Sequence, residues 1–338
     1  MNTPLLQTDN LTKKFRQKSG SLRQSTPKIA VNTINLNLNA RERLGIVGES
    51  GSGKSTLGRL LLGLTPPTEG AVLFENQDHK TRSKQDWKAF RRQTALVQQN
   101  PLSALNPQMT IGEQIAEALL VHKAAGKAFA YERSAHMLER VGLSATMMSR
   151  YPHQMSGGQR QRVVIARALI LDPKLVIFDE AVSALDVSVQ AQVVALLRSL
   201  WQELELAYIF ITHDLRIVRY LVDRIAIMYL GRIVEIGEIN TIYQNPLHPY
   251  TRALLASVPT MDPSIRNIAP PVKGEASSNQ SSQGCAFRSR CPLANRTCAN
   301  LEPVSRQLHD RQVSCHRAEE FTTAPPFTHS AKIPMEVA

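Results

Sequence analysis

Gly48-Glu49-Ser50-Gly51-Ser52-Gly53-Lys54-Ser55 is the stretch that decides how this chain is read. It satisfies the phosphate-binding pattern G-x-x-x-x-G-K-[ST] at every defined position. The apolar run Leu44-Gly45-Ile46-Val47 before it reads as a buried strand, and Thr56 to Leu62 after it reads as a helix. That strand–loop–helix setting is the context the pattern requires. Small residues let successive backbone N–H groups turn toward a phosphate, and the helix N-terminus adds the positive end of its dipole. Lys54 is placed to reach the β- and γ-phosphates, and the Ser55 hydroxyl to ligate Mg²⁺.

Moving outward, 338 residues are enough for roughly two domains of about 150 residues each. No apolar run approaches the ~18 residues that would span a bilayer, and the N-terminus lacks the charged-then-apolar layout of a secretory signal. A cytosolic protein is therefore expected, with any membrane role exercised through partners. Lys and Arg number 40 against 28 Asp and Glu, a net charge of +12, but the excess is scattered apart from small clusters at Lys13–Lys18 and at Arg288 and Arg290. Scattered charge reads as solvated surface, and no nucleic-acid partner is expected.

Residues 5–47 read as strands, with Ile34, Leu36 and Leu38 alternating with polar residues, and Gln17 to Lys28 as a polar loop. Ala71–Phe74 and Thr94–Gln98 add two strands. From Ile111 to about Tyr151 the period becomes helical, which predicts a helical subdomain inserted between strands of the main sheet. Leu175–Phe178 and Ala207–Ile211 read as strands buried on both faces, Val189 to Leu204 as an amphipathic helix, and Ile225–Met228 with Ile233–Ile236 as a hairpin about Gly231. Pro270 to Gly284 has linker composition, and the tail after Phe321 reads as loose.

A second glycine-containing helix start, Met155-Ser156-Gly157-Gly158-Gln159-Arg160-Gln161-Arg162, offers a further anion site. With it the sequence resembles the ATP-binding-cassette (ABC) ATPases, whose signature it matches at Ser156, Gly157, Gly158 and Gln159; Met155 stands where Leu is commoner. The resemblance implies a P-loop cassette: a RecA-like α/β core, an antiparallel β subdomain and an inserted helical subdomain at about 100–160, all within residues 1–260. It also implies that ATP is held by Gly48, Glu49, Ser50, Gly51, Ser52, Gly53, Lys54, Ser55 and Thr56 of one cassette and covered by the signature loop of a second, so that the chain works as a dimer. Asp179, ending the run from Lys174, corresponds to the Walker B aspartate on Mg²⁺, and Glu180 to the general base that polarises the attacking water; Ala181 replaces a frequent Pro. Ser183 to Asp186 resembles the D-loop, His213 the switch histidine, and Gln99 the glutamine that touches Mg²⁺ and relays nucleotide state. Phe15 stands where an aromatic ring stacks on adenine. These elements run in the family's order from residue 15 to residue 213.

Asn245-Pro246-Leu247-His248-Pro249-Tyr250-Thr251-Arg252-Ala253-Leu254-Leu255 resembles a segment of the dipeptide/oligopeptide and nickel importer ATPases, and within that group the second ATPase subunit. The implied function is the energy-coupling ATPase of a peptide importer. It would pair with a paralogous ATPase and two membrane permeases at the cytoplasmic face of the inner membrane, with a substrate-binding protein acting at a distance. The alternatives are a non-transport cassette ATPase of DNA repair or translation, or a same-group importer of nickel or antimicrobial peptides. All four cysteines, Cys285, Cys291, Cys298 and Cys315, fall in one module at 285–320, after a linker at 261–284 and before the tail at 321–338. Four thiolates could hold a [4Fe–4S] cluster or Zn²⁺, with two disulfides as the remaining option. The resemblance implies the iron–sulfur cluster, and with it a small cysteine-ligated domain.

Overall fold

The structure, a computed structural model, describes residues 3–16, 27–258 and 283–322. Nearly all of the polar loop expected from Gln17, most of the linker and most of the tail lie outside these residues. Lys28 belongs to a strand and not to the loop.

Among the described residues, twelve strands form two sheets. The smaller holds β1 (Leu6–Phe15), β2 (Lys28–Leu38), β4 (Glu69–Phe74) and β5 (Gln77–Asp78), in the order β2-β1-β4-β5 with every pair antiparallel. The larger contains β3 (Arg43–Val47), β6 (Thr94–Val97), β7 (Leu175–Asp179), β8 (Ala207–Thr212), β9 (Arg224–Tyr229), β10 (Arg232–Glu238), β11 (Arg306–Leu308) and β12 (Arg311–Val313). Its order is β11-β12-β10-β9-β3-β8-β7-β6. Strands β9, β3, β8, β7 and β6 are mutually parallel, and the β9–β10 hairpin turns the sheet antiparallel toward its other edge.

The uninterrupted apolar runs of β3, β7 and β8 follow from burial on both faces. Ile46, Leu175, Ile177, Ile209 and Ile211 point into one core with Leu57, Leu60 and Leu61 of the helix Lys54–Leu61. Val47, Val176, Phe178, Tyr208 and Phe210 point into the other, with Val163 and Ile165 of Gly157–Leu169 and Val193 and Leu197 of Val187–Leu204. Successive side chains of a strand alternate between faces, so one apolar run serves two cores.

The expected helical insertion lies between β6 and β7. Its helices are Pro101–Ala104, Ile111–Val121 and Lys127–Arg140, and Gly157–Leu169 leads back to the sheet. Thr110 and Glu113 form a reciprocal capping box at the start of the second helix, which fixes where it begins.

The C-terminal segment departs from the expectation of a separate small domain. Its hairpin β11–β12 pairs through β12 with β10, with Glu235 opposite Val313, and so extends the main sheet. Nor is the segment metal-ligated. The four cysteines are among the residues that line a cavity of only about 10 Å³. Among the described residues no group of three or more His, Cys, Asp or Glu side chains is placed to hold a metal ion. All four cysteines are free, so the disulfide alternative is not realised either. Burial raises the pKa of Cys285, Cys291 and Cys315, the last to about 12. Cys285 and Cys291 pack against the larger core and Cys315 against Leu247, Val313 and Ala318, as small hydrophobes. The expected [4Fe–4S] cluster and its zinc alternative are therefore both set aside.

Candidate nucleotide site

The loop 48–55 is built from backbone contacts that tolerate no side chain at two positions. A Cβ on Gly48 would stand 2.1 Å from the carbonyl oxygen of Met228, and one on Gly53 2.1 Å from that of Ala30. Gly53 also has φ of 103°, a left-handed conformation that glycine adopts without strain. Gly51, at φ 77°, faces open space. The β9–β10 turn braces the loop, its Gly231 N–H donating to the Ser52 carbonyl at 2.8 Å. Lys54 is buried and folds back over the loop, donating to the carbonyls of Gly48 and Glu49 at 2.8 and 2.9 Å. Burial lowers its pKa, while the carboxylates of Glu180, Asp179 and Glu49 oppose that shift.

Three observations fit this loop to a polyphosphate with a divalent cation. The Ser52 hydroxyl is buried without a partner. No side chain caps the helix start at Gly53, so the first amides of Lys54–Leu61 are left for an anion. Ser55 Oγ donates to Asp179 Oδ1 at 2.8 Å, which brings two hard oxygen ligands together. Burial first, and then the neighbouring Glu180 charge, raise the pKa of Asp179 against the Ser55 hydrogen bond, a penalty that a cation would relieve.

Beside Asp179 stands Glu180, held at φ 51° with its N–H donating to the Ile211 carbonyl at 2.9 Å. Its side chain joins residues from three elements. Gln99 Nε2 donates to Glu180 Oε2 at 3.3 Å and to Ser183 Oγ at 3.3 Å, and His213 Nδ1 lies 3.4 Å from the same Glu180 oxygen. Phe15 is 42% exposed at the end of β1, with the Lys13 ammonium 5.3 Å from its ring centre. It pairs with Lys28, two residues along β2 from Ala30, whose carbonyl lies against Gly53.

The signature residues lie elsewhere. Ser156 caps Gly157–Leu169, accepting from Gln159 N–H at 3.3 Å while Gln159 Oε1 accepts from Ser156 N–H at 3.0 Å. Ser156 and Gly157 are exposed, as is Asp186, and a Cβ on Gly158 would meet Val189 at 2.4 Å. Among the described residues no hydrogen bond or ion pair links Ser156–Gln159 to the loop 48–55.

The ABC transporter family description matches residues 31–183, and that of the oligopeptide/dipeptide transporter C-terminal region matches 234–298. The di/tripeptide transport ATP-binding protein DppF of Pseudomonas aeruginosa is 42% identical over 95% of this chain and 99% of its own length. The oligopeptide transport ATP-binding protein OppF of Escherichia coli is 46% identical over 86% of this chain and 88% of its own. This chain belongs to the oligopeptide/dipeptide group of ABC transporter ATPases. Among solved structures, the cassette MJ0796 in a dimeric post-hydrolysis state bound to ADP and Pi aligns with a TM-score of 0.62 at 28% identity, over 69% of this chain and 98% of that one. cbiO1 of Clostridium perfringens, part of the transporter complex cbiONQ, aligns with a TM-score of 0.62 at 27% identity, over 71% and 90%.

Two contacts of this ABC ATPase were not foreseen from its sequence. The Glu49 N–H, expected to face phosphate, donates to the Tyr250 hydroxyl at 3.0 Å. The Glu49 carboxylate is held by Arg290, noted in the sequence as part of a small basic cluster and only 9% exposed. Tyr250 stands in the segment 245–255 that carries the importer resemblance, so a signal for it was present. Nothing local marked Arg290.

Proposed function

We propose that this ABC ATPase is the energy-coupling subunit of a peptide importer, working at the cytoplasmic face of the inner membrane on two permease subunits. The named functions of its relatives support the cargo class, and the C-terminal region match supports the importer group. No helix among the described residues is long and apolar enough to cross a membrane, in keeping with a peripheral subunit.

The residues divide the work as follows. Loop 48–55 and Thr56 grip the phosphates through backbone amides and Lys54, and Phe15 offers a ring face to adenine. Ser55, Asp179 and Gln99 would hold Mg²⁺, which when bound neutralises charge on the phosphate oxygens. Glu180 accepts a proton from the attacking water, and His213 orients that water. The observation that carries this reading is the shared Glu180 oxygen, against which Gln99 and His213 both rest. Ser156, Gly157, Gly158, Gln159 and Asp186 serve the site of a second cassette, in a pair with a related ATPase. The exposure of Ser156, Gly157 and Asp186 and the lack of polar contact between Ser156–Gln159 and this chain's own loop among the described residues support that division.

The test is Glu180→Gln in the ATPase purified with its membrane subunits. Hydrolysis should fall at least about a hundredfold, the scale of a lost general base, while ATP binding is retained. Hydrolysis at the wild-type rate would remove Glu180 from the role.

A further inference from the structure

Glu49 is a carboxylate inside a loop that must receive a polyphosphate, and left to itself it would repel its ligand. Arg290 takes it in a two-pronged grip, Nη1 on Oε2 at 2.9 Å and Nη2 on Oε1 at 3.0 Å. The partners lie 241 residues apart in sequence, and their side chains are only 10% and 33% exposed, so water screens the pair weakly. Such a forked pair fixes orientation as well as charge.

Arg290 is itself held firmly. Its N–H and that of Cys291 both donate to the Phe287 carbonyl at 3.0 Å. Its guanidinium lies 5.8 Å from the Tyr229 ring centre and 5.9 Å from that of Phe287, rings that also pack on Tyr250. Tyr250 in turn accepts the Glu49 N–H. Tyr250 of the segment 245–255 and Arg290 of the C-terminal segment thus hold the two polar ends of one phosphate-loop residue.

We propose that Arg290 is a positioning residue for nucleotide binding: by neutralising Glu49 and holding its carboxylate on the C-terminal segment, it makes the affinity of the loop for phosphate depend on the docking of that segment. This rests on the reading of loop 48–55 as the nucleotide site. Releasing Arg290 leaves a negative charge free beside the phosphates, so the penalty grows with the charge of the ligand.

The test titrates the full-length protein with ATP, ADP and adenosine in Mg²⁺, following binding by calorimetry. Arg290→Ala is expected to weaken ATP about tenfold, ADP less and adenosine not at all. Adding Glu49→Gln to that variant should bring ATP back to within about threefold of the wild type. Equal loss for all three ligands, or failure of the second change to restore ATP, would overturn the proposal. Glu49→Gln alone leaves the segment's own residues intact, so it reads the same effect if Arg290→Ala does not fold. It should tighten ATP up to about threefold without affecting adenosine, because Arg290 is then left as an unpaired cation. Unchanged or weaker ATP binding in this variant would count against the proposal. Lys54→Ala tests the site reading separately: undiminished ATP binding there would remove the nucleotide site and not merely its adjustment.

Discussion

The phosphate loop and the C-terminal segment meet at Glu49 and Arg290, but they are held by different forces. The loop is fixed by backbone: Gly48 against Met228, Gly53 against Ala30, and Ser52 bonded to Gly231. The C-terminal segment is fixed by buried charge and rings. Glu235, fully buried, accepts from the N–H groups of Leu247 and His248 at 2.9 and 3.1 Å. Arg311, 5% exposed, reaches Glu235 at 3.5 Å and the Asn245 carbonyl at 2.6 Å. A region built of backbone contacts is broken by adding one atom, and a region built of buried charge by removing one partner.

The largest effect separates binding from scaffolding. Lys54→Ala should lower ATP hydrolysis by at least about a hundredfold while the thermal midpoint stays near that of the wild type, since the lost group acts on the ligand's charge. A large fall in midpoint would show that the loop depends on this side chain for its fold, and would blur the contrast. Next is Arg311→Ala, which strands Glu235 as a buried charge and should cost about 3–5 kcal/mol in denaturant unfolding. The same measurement on Glu235→Gln together with Arg311→Ala should recover part of that cost.

Gly48→Ala follows, at about 2–3 kcal/mol, because its Cβ would press on a carbonyl that the sheet cannot move. Gly51→Ala is the control within the same loop: its Cβ meets nothing, and only the left-handed backbone costs, about 1 kcal/mol. Equal losses would mean that close approach is not what builds the loop. The last effect is a pH dependence, spread over several pH units. Burial pushes His248 down to about 3 from 6.5, and its Nδ1 accepts the Tyr250 N–H at 3.0 Å, as only the unprotonated nitrogen can. Its folded pKa lies below its unfolded one, so the unfolded chain binds the extra proton and stability declines as pH falls from 6.5 toward 3. His248→Asn keeps an acceptor at the helix start and should flatten that decline, as read from unfolding curves at several pH values.

The same contrast explains how much was legible beforehand. The loop 48–55, the apolar runs of β3, β7 and β8 and the helical insertion are local patterns, and each formed where its periodicity placed it. The order of the cassette residues also carried the family. The C-terminal segment was misread because the interactions that seat it on the cassette are between residues far apart in sequence. Cysteine spacing gives no distance between sulfur atoms, and the thiols proved to pack as hydrophobes. The role of Arg290 in its small basic cluster was not legible because its partner lies 241 positions away. That β12 would pair with β10 could not be read from three residues, Arg311–Val313.

The account's central claim is that loop 48–55 makes half a nucleotide site, completed by the signature loop of another cassette. Its most direct test is an electron cryo-microscopy structure of the Glu180→Gln ATPase assembled with its membrane subunits in Mg²⁺ and ATP. Nucleotide should lie against Lys54 and Ser55, with a serine-glycine-glycine turn from the neighbouring ATPase closing over its γ-phosphate. Nucleotide enclosed by this chain's own Ser156–Gln159, or bound with no second cassette against it, would contradict the account.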